Sequence, residues 1–170
     1  MQNSMIWFDR KFEFTLPVEM YPMVVERLRG TPARIEDKVN GLPEEMLTRK
    51  VGETWSIKEQ VGHLVIVEQL WDWRVTDFLQ GKEQLSPADL DNTDTKESDF
   101  NGASIDELTG QFRTVRATLI KRLEQFDVDS AGKSALHPRL NKPMRLIDHA
   151  FFAAEHDDHH LAKMTGLMEL

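Results

Sequence analysis

Apolar residues recur at helical spacing along most of the chain, and several helix starts are sharply marked. Ser56-Ile57-Lys58-Glu59 reads as a capping box, in which the serine hydroxyl accepts from the backbone of Glu59 while Glu59 reaches back. The helix it opens carries Val61, Leu64, Val67, Leu70, Trp71 and Phe78 and stops near Gly81. Ser104-Ile105-Asp106-Glu107 repeats the device, opening a helix through Leu108, Phe112, Val115, Leu119 and Leu123 to about Phe126. Thr31-Pro32 reads as a third start, with proline at the first helical position, where its missing N–H costs nothing. That helix ends near Gly41-Leu42-Pro43, and Val18 to Arg29 reads as a separate helical piece before it. A last helix begins around Pro143 or Met144 and runs toward Leu170.

Three polar connections separate these segments: Leu42–Thr54, Gln80–Asn101 and Asp127–Pro143, each with proline and glycine. The latter two exceed ordinary loop lengths, a property of functional loops. Period-2 alternation is confined to Ile6–Leu16, which reads as an extended N-terminal arm. Four main helices joined in this way predict an all-α protein, a single four-helix bundle domain spanning residues 1–170.

Composition changes the picture in two ways. Acidic residues number 29 against 21 basic ones, for a net charge of −8, which argues against nucleic acid as the main partner. Cysteine is absent, so disulfides, thiolate metal sites, iron–sulfur clusters and cysteine nucleophiles are excluded. Any metal must be held by histidine and carboxylate. Asp9, Arg10 and Lys11 interrupt the N-terminus, and the longest apolar runs are Leu64–Val67 and Ala150–Ala154, far short of the roughly 20 residues of a membrane span. The expectation is a cytoplasmic protein with no membrane partner.

The six histidines carry the chemistry. With Leu146 set at 0° on the last helix, Leu146, Ala150, Ala153, Leu161, Met164 and Met168 form the buried stripe. His149, His156 and His160 fall together at about 280–320°, on its shoulder, while His159 turns further away, near 220°. His156 and His160 are one turn apart, so their imidazoles can meet one ion. His63, among Ile66, Val67 and Leu70 on another helix, could close a three-histidine site with an open position for water or substrate. Asp157 and Glu59 are candidate partners for the second ring nitrogens. The plainer alternatives are a hydrogen-bonded core histidine at position 63 and a solvated His-Asp-Asp-His-His face.

Two stretches resemble the DinB-like superfamily. Thr54-Trp55-Ser56-Ile57-Lys58-Glu59-Gln60-Val61-Gly62-His63-Leu64 is similar to its W-S-x-x-E-x-x-x-H-L segment, and Glu155-His156-Asp157-Asp158-His159-His160, after His137–Met144, to its last-helix H-x-x-x-H. The likeness runs from about Arg27 to Met164. It implies an up-down-down-up four-helix bundle and a divalent metal, zinc or nickel, held by three histidines, here His63, His156 and His160. It also implies either thiol-dependent S-transfer or isomerisation, or metal-dependent hydrolysis.

The favoured expectation is a metal-dependent S-transferase for a low-molecular-weight thiol, a cosubstrate this cysteine-free chain cannot replace from its own residues. Arg74, about three turns beyond His63, is placed to meet the thiol's carboxylates, although a surface ion pair is the simpler role for it. The alternative is a hydrolase using metal-activated water, with Glu59, Glu68 or Asp157 as candidate base. A third reading is a non-catalytic bundle that binds a metal, small ligand or partner, with Trp55, Trp71 and Trp73 grouped near one helix. A homodimer is expected from the frequency of such assemblies.

Overall fold

A computed structural model describes residues 5–169. Met1–Ser4 of the N-terminal reading and Leu170 at the end of the predicted last helix lie outside the described residues. In chain order the helices are α1 (Tyr21–Val39), the short α2 (Glu44–Thr48), α3 (Ile57–Leu79), the short α4 (Thr93–Glu97), α5 (Ile105–Leu123) and α6 (Leu146–Met168). Both capping boxes form: the Ser56 and Ser104 hydroxyls accept from the Glu59 and Glu107 N–H groups, and each glutamate accepts from the serine backbone in return.

Cross-helix bonds give the chain path. Arg27–Glu155, Thr31–Asp157 and Lys38–Thr165 advance together, so α1 and α6 run parallel. Arg29–Glu124 and Arg113–Glu36 run in opposite senses, so α1 and α5 are antiparallel. Lys58–Ala103 and Arg116–Glu68 make α3 parallel to α5, while Gln60–His160 and His63–His156 make α3 antiparallel to α6. The path is therefore up-down-down-up. Parallel α3 and α5 cannot be joined by a tight turn, and that is why residues 80–104 form a long crossover. Its end is clamped at Gly62, where a Cβ would stand 2.3 Å from the Phe100 ring.

One predicted boundary is wrong. Thr31-Pro32 does not start a helix: α1 is continuous through both residues, and Val18–Met20 is only a 3-10 turn leading into it. Proline inside a helix leaves the carbonyl four residues earlier without its N–H partner. That carbonyl, Leu28 O, is taken up by the Arg116 guanidinium, whose Nη1 donates to it at 3.0 Å.

The predicted connection Asp127–Pro143 contains a hairpin, β1 (Ser134–His137) and β2 (Lys142–Arg145), with Ala135 opposite Met144. Asn141, at φ 50°, supports the turn. Pro143 and Met144 therefore belong to β2, and α6 begins later, at Leu146. There Asp148 accepts from the Arg145 backbone (2.9 Å) and from its Nε (2.7 Å). The long crossover lies against the hairpin through Leu85 N–H to Leu136 O (3.0 Å). After one 3-10 turn, Trp7–Asp9, residues 10–17 of the N-terminal arm form no regular helix or strand.

The interior has two apolar zones. One gathers Leu28, Trp71, Leu119 and Ala154; the other gathers Ile35, Leu64, Phe112 and Leu161. Between them each long helix contributes a buried polar residue at the same level: Thr31, Glu68, Arg116 and Asp157. No helix among the described residues is long and apolar enough to cross a membrane.

Candidate metal centre

The polar level opens on one side into a cluster of imidazoles. His63 comes from α3, one turn past the capping box, and His156 and His160 come from adjacent turns of α6. The Nε2 atoms of His63 and His156 lie 3.4 Å apart, and those of His156 and His160 lie 3.2 Å apart. All three residues are buried, and their ligand atoms lie within 4.8 Å of one another.

The outer nitrogens explain the aim of the rings. His63 Nδ1 is 3.0 Å from Thr95 Oγ1, on α4, and His160 Nδ1 is 2.5 Å from Gln60 Oε1. In the tautomer where Nδ1–H donates to these oxygens, each Nε2 is left with a lone pair directed at the shared point. His156 Nδ1 has no protein partner. Burial, with smaller contributions from His159 and Lys163, lowers the His63 pKa to about 4. Burial and the neighbouring imidazoles also hold His156 and His160 well below the ordinary value. The trio is thus neutral near pH 7, the state in which imidazole ligates a metal. Converging buried lone pairs repel one another, and a cation at their meeting point turns that repulsion into coordination. The donor set fits a divalent ion with three protein ligands and an open position.

Aromatic rings wall the cluster. Trp55, just before the capping box, stacks on His160 at a centroid distance of 6.2 Å, and Trp7 of the N-terminal arm meets His156 edge-on at 4.9 Å. On one side of Trp7 an open cleft is lined by Trp55, Gln60, His159 and Lys163. On the other, a cavity of about 180 Å³ runs from His63 and His156 past Leu70 and Trp71 to Arg74, His137 and Arg139.

The remaining sequence candidates fall in different places. Glu59 is occupied by its cap and by Lys50 at 2.7 Å, and it makes no hydrogen bond to the imidazoles. Asp157 points away from the histidines: it accepts from Thr31 Oγ1 (2.7 Å) and Arg116 Nη1 (2.6 Å). Glu68 is bound to the same Arg116, through Nη2 at 2.5 Å. These three carboxylates are committed elsewhere, which removes them as bases at the cluster. Arg74 is not a surface ion pair. It is 1% exposed, donates through Nε to Ser86 O at 3.0 Å, and lines the cavity. His149 stands apart, its Nε2 3.2 Å from Trp71 O. His159 is half-buried beside the cleft, and burial lowers its pKa to about 4. Trp71 is core, whereas Trp73 is exposed at the cavity rim.

Sequence reasoning missed Gln60, Thr95 and Trp7. Gln60 was findable: three residues before His63 on α3, it shares that face. Thr95 sits in a connection whose single helical turn carries no periodic signal.

Comparison with known proteins agrees with this architecture. Residues 27–164 match the family described as the DinB superfamily. Among solved structures, the chain is similar to YfiT from Bacillus subtilis, described as a probable metal-dependent hydrolase with an unusual four-helix bundle topology. The TM-score is 0.81 at 17% identity, covering 94% of this chain and 92% of that one. At that identity the likeness carries the fold. No curated protein matches the chain.

Proposed function

The chain belongs to the DinB superfamily, and from that premise we propose that it is a metal-dependent hydrolase whose divalent ion is held by His63, His156 and His160. The observation that carries this reading is the convergence of three buried Nε2 atoms at the head of a cavity. A divalent ion, zinc or nickel given the all-imidazole donor set, supplies Lewis acidity and lowers the pKa of water at its open position, to about 7 in catalytic zinc enzymes. The chain's own residues do the rest. Gln60 and Thr95 fix the ring tautomers, and Trp7 and Trp55 limit access of bulk water. His159, neutral near pH 7 and facing the cleft, can accept a proton. YfiT's description as a probable metal-dependent hydrolase supports the same reaction class.

Elemental mass spectrometry of the wild type, His160→Ala and His159→Ala tests the site. About one equivalent of metal is expected in the wild type and in His159→Ala, and little in His160→Ala. Turnover of small ester and amide substrates is then assayed without thiol. Equal metal in all three proteins, or none in any after incubation with zinc and nickel, would sink the assignment.

A second reading is favoured by one observation: Arg74 lines the same cavity as His63 and His156. A low-molecular-weight thiol with carboxylates would find a cation there, and the protein would be an S-transferase. Turnover that requires an added thiol selects this reading, and turnover in its absence selects the hydrolase.

A further inference from the structure

The far end of the cavity holds a second cluster that the metal centre does not use. His137, on β1, is 2% exposed. Its Nδ1 accepts from the Leu140 N–H at 3.1 Å within the hairpin turn. In a neutral imidazole one nitrogen accepts and the other donates, so this bond places the proton on Nε2. That Nε2–H is buried and has no protein partner. Arg139 Nη2 and Trp71 Nε1 are likewise buried without partners, and both residues line the same cavity. The three orphaned groups are all donors, and a buried donor left without an acceptor is destabilising.

The cations at this end also form no ion pair. Neither Arg74 nor Arg139 has a carboxylate within salt-bridge distance among the described residues. Of the acids on α3 beside Arg74, Asp72 pairs with Arg122, and Asp77 is engaged by Lys82 at 2.7 Å and by the Ser86 N–H at 2.6 Å. Asp89, at the exposed rim, turns its oxygens to the backbone of Asp91 and Thr93. Aromatic rings hold the guanidiniums in place: Arg74 lies 5.7 Å from the Trp71 ring and Arg139 5.2 Å from the Phe8 ring. Burial and these two cations lower the His137 pKa to about 3, so the imidazole stays a neutral donor.

We propose that His137, Arg139 and Arg74 form a carboxylate-binding subsite, and that the substrate is a small carboxylic acid whose reactive group lies at its opposite end, toward the histidines. For that reactive end the inference rests on the hydrolase reading; the subsite itself stands on the orphaned donors. Two of them, His137 Nε2–H and Arg139 Nη2–H, are as many donors as one carboxylate has oxygens. Leu70 and the Trp71 ring line the wall between the ends and suit an apolar body. The cavity, at about 180 Å³, is below the roughly 300–1,000 Å³ of drug-sized ligand sites, so the occupant is small.

Calorimetric titration with pentanoate and with its neutral counterpart pentanamide tests the subsite, on the protein as purified and after treatment with a chelator. Pentanoate is expected to bind at least about tenfold more tightly than pentanamide in both samples, the worth of a charge-assisted hydrogen bond. Arg139→Gln, at a half-buried position, is expected to remove that preference while leaving pentanamide binding, thermal melting and metal content unchanged. His137→Gln serves as a second variant with the same expected direction. Equal affinity for the two probes overturns the subsite, as does pentanoate binding that vanishes with the metal, which would put the carboxylate on the histidines. A protein that takes up no metal even after incubation with zinc and nickel, yet still discriminates the probes, defeats the hydrolase reading and leaves the subsite standing.

Discussion

Two buried polar clusters sit side by side between the same helices, and they are built on opposite rules. Around Arg116 every group is answered. Its five N–H groups go to Glu68, to Asp157 and to Leu28 O, and Asp157 takes a further bond from Thr31. Asp157 and Glu68 outweigh the burial that would otherwise lower the arginine pKa, and hold it above its ordinary value. One residue along α6, the imidazoles do the reverse: their Nε2 atoms face one another, and His156 Nδ1 has no protein partner. A satisfied network holds helices together, whereas a convergent set of unanswered donor atoms is arranged for something else. Burial is common to both clusters. Satisfaction separates them.

The largest effect that would break this contrast comes from Arg116. Arg116→Met leaves Glu68 and Asp157 buried without their cation, and is expected to lower unfolding free energy by about 3–5 kcal/mol in urea titration. Metal affinity should change less than in variants that touch the rings, because Arg116 makes no hydrogen bond to any of the three imidazoles and Thr31 still aligns α1 with Asp157 of α6. A variant that folds normally would show that the network is not structural.

The next effect sharpens the other side. Thr95→Val and Gln60→Leu remove the acceptors that orient His63 and His160. Each is expected to weaken metal affinity by about 10–100-fold, measured by competition with a chromogenic chelator. Unfolding free energy without metal should change much less than in Arg116→Met.

The smallest concerns a histidine outside both clusters. Burial lowers the His149 pKa to about 3, against about 6.5 in the unfolded chain, so the unfolded state takes up the proton first. Its contribution is whole above pH 6.5 and is lost progressively as pH falls toward 3. At pH 5.5 the loss is about 1.4 kcal/mol. His149→Gln should therefore show a shallower decline in stability between pH 7 and 5.5 than the wild type. Parallel declines would place the acid sensitivity in other groups.

Local signals were legible in the sequence and tertiary ones were not. Ser56 and Ser104 announce their helices because a capping box lies within four residues. Although the choice of His63 on another helix as third ligand came from the resemblance to the DinB-like superfamily, helical periodicity alone turns His156 and His160 to one side of their helix, with His149 on the same arc. Thr31-Pro32 misleads for the same reason: a proline at the start of a helix and one inside it look alike until Arg116, 84 positions on, supplies the missing partner. Asp157 was correctly turned inward, yet its partner is that same arginine and not a histidine ring. The hairpin escaped notice because only two of its eight residues, Leu136 and Met144, break a polar or small-residue run, and its pairing depends on the crossover packed beside it. His137 and Arg139 were read only as part of the stretch resembling the family, with no role of their own.

The carbonyl that Pro32 frees works as an index mark. Sliding α1 by one turn, about 5.4 Å, would carry Leu28 O away from the one guanidinium able to answer it and would separate Thr31 from Asp157. Such a slide is marked against at two points, so the helices have one height at which they can meet. Asp157 directly follows His156, so the mark that aligns α1 with α6 also sets the level of that imidazole within the bundle. A residue ordinarily counted against a helix thereby calibrates the position of a ring on another helix.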